Sequence, residues 1–114
     1  MRRACNFLAS KQLEDGGWGE SYLSSQDKKY VSLEKSHIVN TSWALLGLLA
    51  VDCIDSKKDV IERGIQFLQK AQLANGDWPQ QSISGVFNRN CMITYANYRN
   101  IFPLWAIGSY YSQL

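Results

Sequence analysis

The chain repeats itself at an interval of sixty residues, and that interval decides most of what it can fold into. Laying residues 3–18 over residues 63–78 gives seven identities in sixteen positions: Arg3 with Arg63, Phe7 with Phe67, Leu8 with Leu68, Gln12 with Gln72, Leu13 with Leu73, Gly16 with Gly76, and Trp18 with Trp78. A second echo follows in each copy, Trp43-Ala44 and Trp105-Ala106, both inside apolar stretches. A sequence that spells one unit twice folds into like pieces that stack, each covering apolar surface the other cannot bury alone. Two units are expected, about 1–55 and 56–114, within the single domain that 114 residues allow.

Each unit opens with a helix. In the second copy Val60, Ile61, Gly64, Ile65 and Leu68 recur at helical spacing, with Phe67 and Ala71 widening the stripe. Ser56-Lys57-Lys58-Asp59 resembles a capping box at its start. The stop is Ala74-Asn75-Gly76, matched by Glu14-Asp15-Gly16-Gly17 in the first copy. The first unit's second helix is expected from about His37 to Val51 and is apolar nearly all round, the pattern of an inner layer buried on most sides. No alternating strand pattern of useful length is visible. Amphipathic helices outside apolar ones describe an all-α fold, a portion of an α/α toroid or double-layer helical barrel.

Gln12, Gly16 and Trp18, and again Gln72, Gly76 and Trp78, share one spacing: Gln, three residues, Gly, one residue, Trp. The glycine permits a sharp turn after the helix. The Trp ring can then fold back toward the Gln amide, and the amide can bond main-chain groups left free at a helix end. Two matched copies make these six residues scaffold.

Charge and cysteine usage exclude several other functions. The net charge is +2, with no basic stripe interleaved with aromatics, so nucleic acid is not an expected partner. Cys5, Cys53 and Cys91 are odd in number and widely spaced, which argues against a disulfide framework or zinc site and for three small buried hydrophobes in a reduced chain. No cofactor or metal is expected. The start of the chain lacks a signal peptide's apolar run, and the longest apolar stretch, Trp43 to Val51, is too short to span a bilayer. His37, the single histidine, is expected to be a surface or capping residue. Trp105 is expected to pack between helices, Arg99 to be paired near a helix end, and Pro103 to begin or kink a helix.

The two Gln–Gly–Trp turns resemble the QW repeats of the terpene cyclase/mutase family, the squalene-hopene and oxidosqualene cyclases. Residues 85–108, from Gly85-Val86-Phe87-Asn88-Arg89-Asn90-Cys91 through Met92-Ile93-Thr94-Tyr95-Ala96-Asn97-Tyr98-Arg99 to Pro103-Leu104-Trp105-Ala106-Ile107-Gly108, resemble the C-terminal signature of eukaryotic oxidosqualene cyclases almost position for position. Asp15-Gly16-Gly17-Trp18-Gly19-Glu20-Ser21 and Asn40-Thr41-Ser42-Trp43-Ala44 resemble it too, so the likeness covers essentially the whole chain. The Phe87–Tyr95 wording is more similar to the sterol-forming members, of the lanosterol or cycloartenol type.

The resemblance implies an isomerase that cyclises 2,3-oxidosqualene through a protonation-initiated carbocation cascade. It implies that Phe87, Tyr95 and Tyr98 are cavity aromatics, whose faces attract a cation without attacking it. From spacing alone, Tyr95 and Tyr98 are equally ordinary core aromatics on one side of a helix. The family's general acid, an Asp in an Asp-Cys-Thr-Ala-Glu motif, does not occur; Asp52-Cys53 continues as Ile54-Asp55-Ser56 and reads as a loop. The 114-residue chain is therefore expected to be one wall of a pocket and inactive alone, and to be poorly soluble through its exposed Ile38–Val51 helix. The resemblance also implies a membrane surface as partner, at the endoplasmic reticulum membrane or a lipid droplet. The competing reading is a noncatalytic helical-repeat protein that binds a partner or lipid. A zinc-dependent toroid such as a prenyltransferase β subunit would need an Asp, Cys and His ligand set that one histidine does not supply.

Overall fold

The computed structural model describes residues 1–51, 53–83, 85–87, 91–93 and 96–114, with the backbone alone for 85–87, 91–93 and 96. Five helices and one short ladder are described: α1 (Arg2–Lys11), α2 (Leu23–Asp27), α3 (Ile38–Ala50), α4 (Lys58–Ala71), β1 (Gly85–Phe87), β2 (Cys91–Ile93) and α5 (Ala96–Ser112). The antiparallel pairing sets Gly85 opposite Ile93 and Phe87 opposite Cys91. Three-residue strands are too short to leave an alternating signature in sequence, which is why the reading missed them.

The helices form two layers. α3 packs on α5, α1 packs on α3, and α4 covers both α3 and α5. The core joins Leu45 and Leu48 of α3 with Ile61, Ile65 and Leu68 of α4, closed by Trp18, Trp78 and Ala106. α3 fulfils the inner-layer expectation: Ile38, Val39, Thr41, Ser42, Ala44, Leu45, Leu48 and Leu49 are all buried. The exposed apolar surface lies elsewhere than expected. Part of it is on α5, where Ile101, Leu104, Trp105 and Tyr111 are each more than half exposed.

Both Gln–Gly–Trp turns are built the same way. Gly16 and Gly76 take φ of +96° and +89°, a region open to glycine. The Gln12 and Gln72 amides donate to the carbonyls of Gly16 and Gly76, at 2.9 and 2.8 Å. The tryptophans reach further back. Trp18 Nε1 donates to Leu8 O at 2.7 Å and Trp78 Nε1 to Leu68 O at 2.9 Å, carbonyls in the last turns of α1 and α4 that would otherwise be orphaned. Both indoles are buried, which is worth about 4–6 kcal/mol each by area. The Trp18 ring lies beside Gly64 of α4, where a Cβ would come within 3.0 Å of it. Helix end, turn and neighbouring helix are thus fixed together.

The first turn is also gripped by the second unit. Gln12 Nε2 donates to Val60 O at 2.8 Å. Arg63 donates to Gln12 Oε1 at 3.2 Å, Leu13 O at 3.3 Å and Glu14 O at 2.8 Å.

Three further expectations are corrected. Ser56 does not cap α4: the N-cap is Lys57, without a side-chain bond, and Ser56 Oγ donates to Cys53 O instead. Cys5 and Cys53 are not independent hydrophobes but form a disulfide between α1 and the loop after α3. Their separation of 48 residues carries no local signal; only the stacking of α1 on α3 brings them together. Trp105 does not pack between helices. It is 58% exposed and stacks on Phe102 of its own helix.

Candidate functional site

The described aromatic rings gather where α3 meets α5. Trp43 projects from α3, and Tyr98 and Phe102 stand one turn apart on α5, so both address the same side. Trp43 meets Tyr98 edge to face at 5.9 Å and Phe102 at 5.4 Å, and the last two meet each other at 5.4 Å. Trp105 extends the group by stacking on Phe102 at 6.1 Å. Such pairs contribute about 0.5–1.5 kcal/mol each beyond area burial. Tyr98 and Phe102 are only half-buried, so the cluster keeps ring surface available.

Of the three aromatics expected on a shared cavity, only Tyr98 has a described side chain. Phe87 ends β1, and Tyr95 lies outside the described residues, as does Asp52. Trp43 and Phe102 are members that the sequence reading did not single out. Phe102 is legible from its spacing of four from Tyr98; Trp43 stands out in sequence only as the mate of Trp105.

Polar groups hold this wall in place. Pro103 is buried inside α5, one residue past Phe102, and has no N–H to give to the helix ladder. The Arg99 side chain binds Trp78 O at 2.9 Å, Gln80 Oε1 at 2.9 Å and Asp77 Oδ2 at 3.4 Å, which fastens α5 to the second turn. At the start of α3, Ile38 N–H donates to Gln81 Oε1 at 2.7 Å, and Trp18 N–H donates to Thr41 Oγ1 at 2.9 Å.

His37 is a capping residue, and a buried one. Its Nδ1 accepts from Asn40 N–H at 3.3 Å, and its Nε2 lies 2.9 Å from Ser82 O. A carbonyl only accepts, so the proton is on Nε2 and the ring is neutral. Burial lowers its pKa, opposed by the bond to Ser82 and reinforced by Lys35. Both ring nitrogens are occupied by structure.

A second aromatic hollow, of about 220 Å³, is bounded by Phe7, Leu8, Lys11, Trp18, Tyr30 and Trp43. Its cation position is filled from within: Lys11 Nζ lies 4.7 Å from the Tyr30 ring centre and 5.4 Å from that of Phe7. Among the described residues, no three His, Cys, Asp or Glu side chains are grouped to hold a metal ion. Nor is any described helix long and apolar enough to cross a membrane.

Stacked helix pairs, locked by repeated Gln–Gly–Trp turns and carrying an aromatic cluster on the inner pair, define an α/α-repeat protein with a ring-lined wall. The chain belongs to the squalene-hopene cyclase C-terminal domain family, which it matches over residues 1–112. It is a portion of that family's α/α toroid. It is 52% identical to human lanosterol synthase over 114 residues, all of this chain and 15% of that protein. Cycloartenol synthase of Dictyostelium discoideum is 60% identical over 92 residues, 81% of this chain and 13% of that protein. Alpha-onocerin synthase LCD of Lycopodium clavatum is 40% identical over 116 aligned residues, covering all of this chain and 15% of that protein. The chain therefore spans about one seventh of the length of the relatives it matches.

Proposed function

We propose that this chain is the C-terminal segment of an oxidosqualene cyclase, two repeat units (about 1–55 and 56–114) of a barrel domain that cyclises 2,3-oxidosqualene to a sterol or triterpene skeleton. The observation that carries the reading is the seating of Tyr98 in the Trp43–Phe102 cluster, in a chain half identical to a lanosterol synthase over its whole length.

The chemistry follows from what a travelling carbocation needs. Water or a lone pair would quench it, whereas a ring face stabilises it by about 0.5–2 kcal/mol when desolvated. Stabilisation that grows only as charge develops accelerates the step. In this reading Phe87, Tyr95 and Tyr98 supply those faces, with Trp43 and Phe102 holding the Tyr98 ring at its angle. The Asp-Cys-Thr-Ala-Glu acid motif is not among the 114 residues, so the epoxide is protonated from elsewhere in the complete enzyme and the isolated chain is inactive. The reading requires no cofactor. For location we propose the endoplasmic reticulum membrane or lipid droplet, with the membrane contact made outside this segment.

A graft tests this. The segment replaces the matching C-terminal part of Saccharomyces cerevisiae lanosterol synthase ERG7, to which it is 48% identical over 110 residues. The chimera is expected to cyclise oxidosqualene, and Tyr98→Ala within it to slow the reaction or divert its products. A folded chimera that consumes no oxidosqualene overturns the proposal.

A further inference from the structure

The segment that leads from the second turn toward β1 is fastened on two sides. On one side Arg99 of α5 binds Trp78 O, Gln80 Oε1 and Asp77 Oδ2. On the other side the fastening is to the start of α3. Gln81 Oε1 accepts from Ile38 N–H at 2.7 Å, and Gln81 Nε2 donates to Ser36 O at 3.5 Å, the longer contact. His37, between those two residues, donates from Nε2 to Ser82 O at 2.9 Å.

The receiving end suits this contact. Ser36, His37 and Ile38 are 7%, 3% and 2% exposed. Ile38 N–H is one of the donors that the first turn of a helix leaves without an intrahelical partner, and Gln81 supplies the acceptor that water supplies at an open helix end. A backbone N–H only donates, so the Gln81 amide is held in one sense. The tail of the first turn grips the same helix end. Trp18 N–H donates to Thr41 Oγ1, His37 N–H to Trp18 O at 2.7 Å, and Glu20 N–H to Asn40 Oδ1 at 3.0 Å. α3 therefore starts between the tails of both turns, and Trp43 follows Ile38 by less than a turn and a half.

The clamp reaches the aromatic cluster from two directions. Arg99 follows Tyr98 directly, so residues 77–82 tie α5 to α3, the two helices that set Trp43 against Tyr98 and Phe102. Forward along the chain, β1 begins at Gly85, three residues beyond Ser82 and at most about 10 Å of chain. A slip at Gln81 thus has little slack in which to die out before β1, which ends at Phe87.

We propose that Gln81 is a positioning residue for cyclisation: through Ile38 it sets how the segment ahead of β1 lies against α3, and with it where the migrating charge meets the aromatic wall. The inference rests on the reading of the chain as a cyclase segment. Gln81 acts through the backbone it anchors and not on the substrate. A misplacement of about 1 Å in a reacting geometry can cost about 10²-fold in rate. A cation held at the wrong place gives up a proton to water early and leaves as an incompletely cyclised alkene.

The Saccharomyces cerevisiae chimera, which carries the whole segment, provides the test. Gln81→Leu keeps the bulk and loses the acceptor. Gln81→Asn, the second variant should leucine prevent folding, keeps the amide and falls one methylene short. Gln81→Glu keeps an oxygen for Ile38 N–H. Leucine and asparagine are expected to lower kcat by at least about tenfold with KM little changed, and to raise the share of incompletely cyclised products. Glutamate is expected to restore most of the rate and the parent product ratio. An active chimera in which the leucine and asparagine variants keep the parent rate and products overturns this inference and leaves the cyclase reading standing. So does a loss that glutamate does not relieve, or one that follows the amount of folded protein while the product ratio stays fixed. A folded chimera that consumes no oxidosqualene overturns the cyclase reading and this inference with it.

Discussion

Arg63 donates to the Gln12 side chain across 51 residues of sequence, and through it the second unit holds the turn that ends the first. The Gln12 amide spends its nitrogen on Gly16 O and Val60 O and its oxygen on Arg63. Gln12→Ala thus removes the side-chain donor from two carbonyls in part-buried surroundings and leaves the Arg63 guanidinium without one acceptor, and should cost about 1–3 kcal/mol. Arg63→Ala, at an exposed site, should cost about 0.5–1.5 kcal/mol. The pair should couple by at least about 0.5 kcal/mol in a double-mutant cycle read from urea unfolding. Gln72→Ala loses one exposed bond and should cost less than Gln12→Ala; equal losses at both sites would sink this account.

The two motif glycines separate backbone strain from crowding. Both have φ near +90°, so alanine at either should cost about 1–2 kcal/mol for the left-handed conformation. At Gly76 the nearest atom to a new Cβ is the flexible Gln72 Nε2, 4.0 Å away. At Gly16 the Cβ would stand 2.5 Å from the Arg63 carbonyl oxygen, a backbone atom that cannot yield alone. Gly16→Ala should therefore be worse than Gly76→Ala by about 1–3 kcal/mol, the usual cost of overpacking. Comparison of their thermal midpoints checks the difference.

His37 gives the fold a pH dependence whose sign can be worked out. Its folded pKa is lowered, chiefly by burial. Between that value and about 6.5 in the unfolded chain, the unfolded state binds the extra proton. The contribution is complete above about pH 6.5 and is lost progressively as the pH falls toward the folded pKa, with a slope of at most about 1.4 kcal/mol per pH unit. Protonation also turns Nδ1 into a donor and ends its bond with Asn40 N–H. Unfolding midpoints between pH 7.5 and 5.5 should fall, and His37→Asn, which retains a capping acceptor without a titrating group, should flatten the profile. A wild-type midpoint that rises on acidification over that interval contradicts the assignment.

The parts of this fold legible in sequence are those that local chemistry fixes. α4 is visible because Ile61, Gly64, Ile65 and Leu68 share one helical face, and the turns at Gly16 and Gly76 because no other residue takes their φ at little cost. α3 is visible because a helix apolar on nearly every side has no solvent face. What sequence did not disclose depends on distance in space. Ser56 has the chemistry of a cap, but its hydroxyl turns to Cys53 O. Trp105 has the sequence setting of Trp43 without the neighbouring helix that covers it. Tyr98 was identified by resemblance, whereas its ring partner Trp43 lies 55 residues earlier and is found only when α3 and α5 are seen side by side.

The Cys5–Cys53 bridge is the feature that sequence reasoning argued against, and thiol counting decides it. Cys5 begins the second turn of α1, Cys53 sits just beyond α3, and both are nearly devoid of solvent contact, 2% and 6% exposed. A bridge spanning 48 residues removes loop-closure freedom from the unfolded chain, worth about 2–4 kcal/mol in the usual range for disulfides. Of the three cysteines, one thiol should then titrate in denaturant without reductant and three after reduction. The Cys5→Ser/Cys53→Ser chain should unfold at lower urea than the oxidised wild type and be indifferent to reductant. Because the sulfurs are buried, a small thiol should cleave the bridge no faster than α1 parts from α3, so added urea should speed reduction well below the global midpoint. Three titratable thiols in a chain purified under oxidising conditions would return Cys5 and Cys53 to the role of plain core residues.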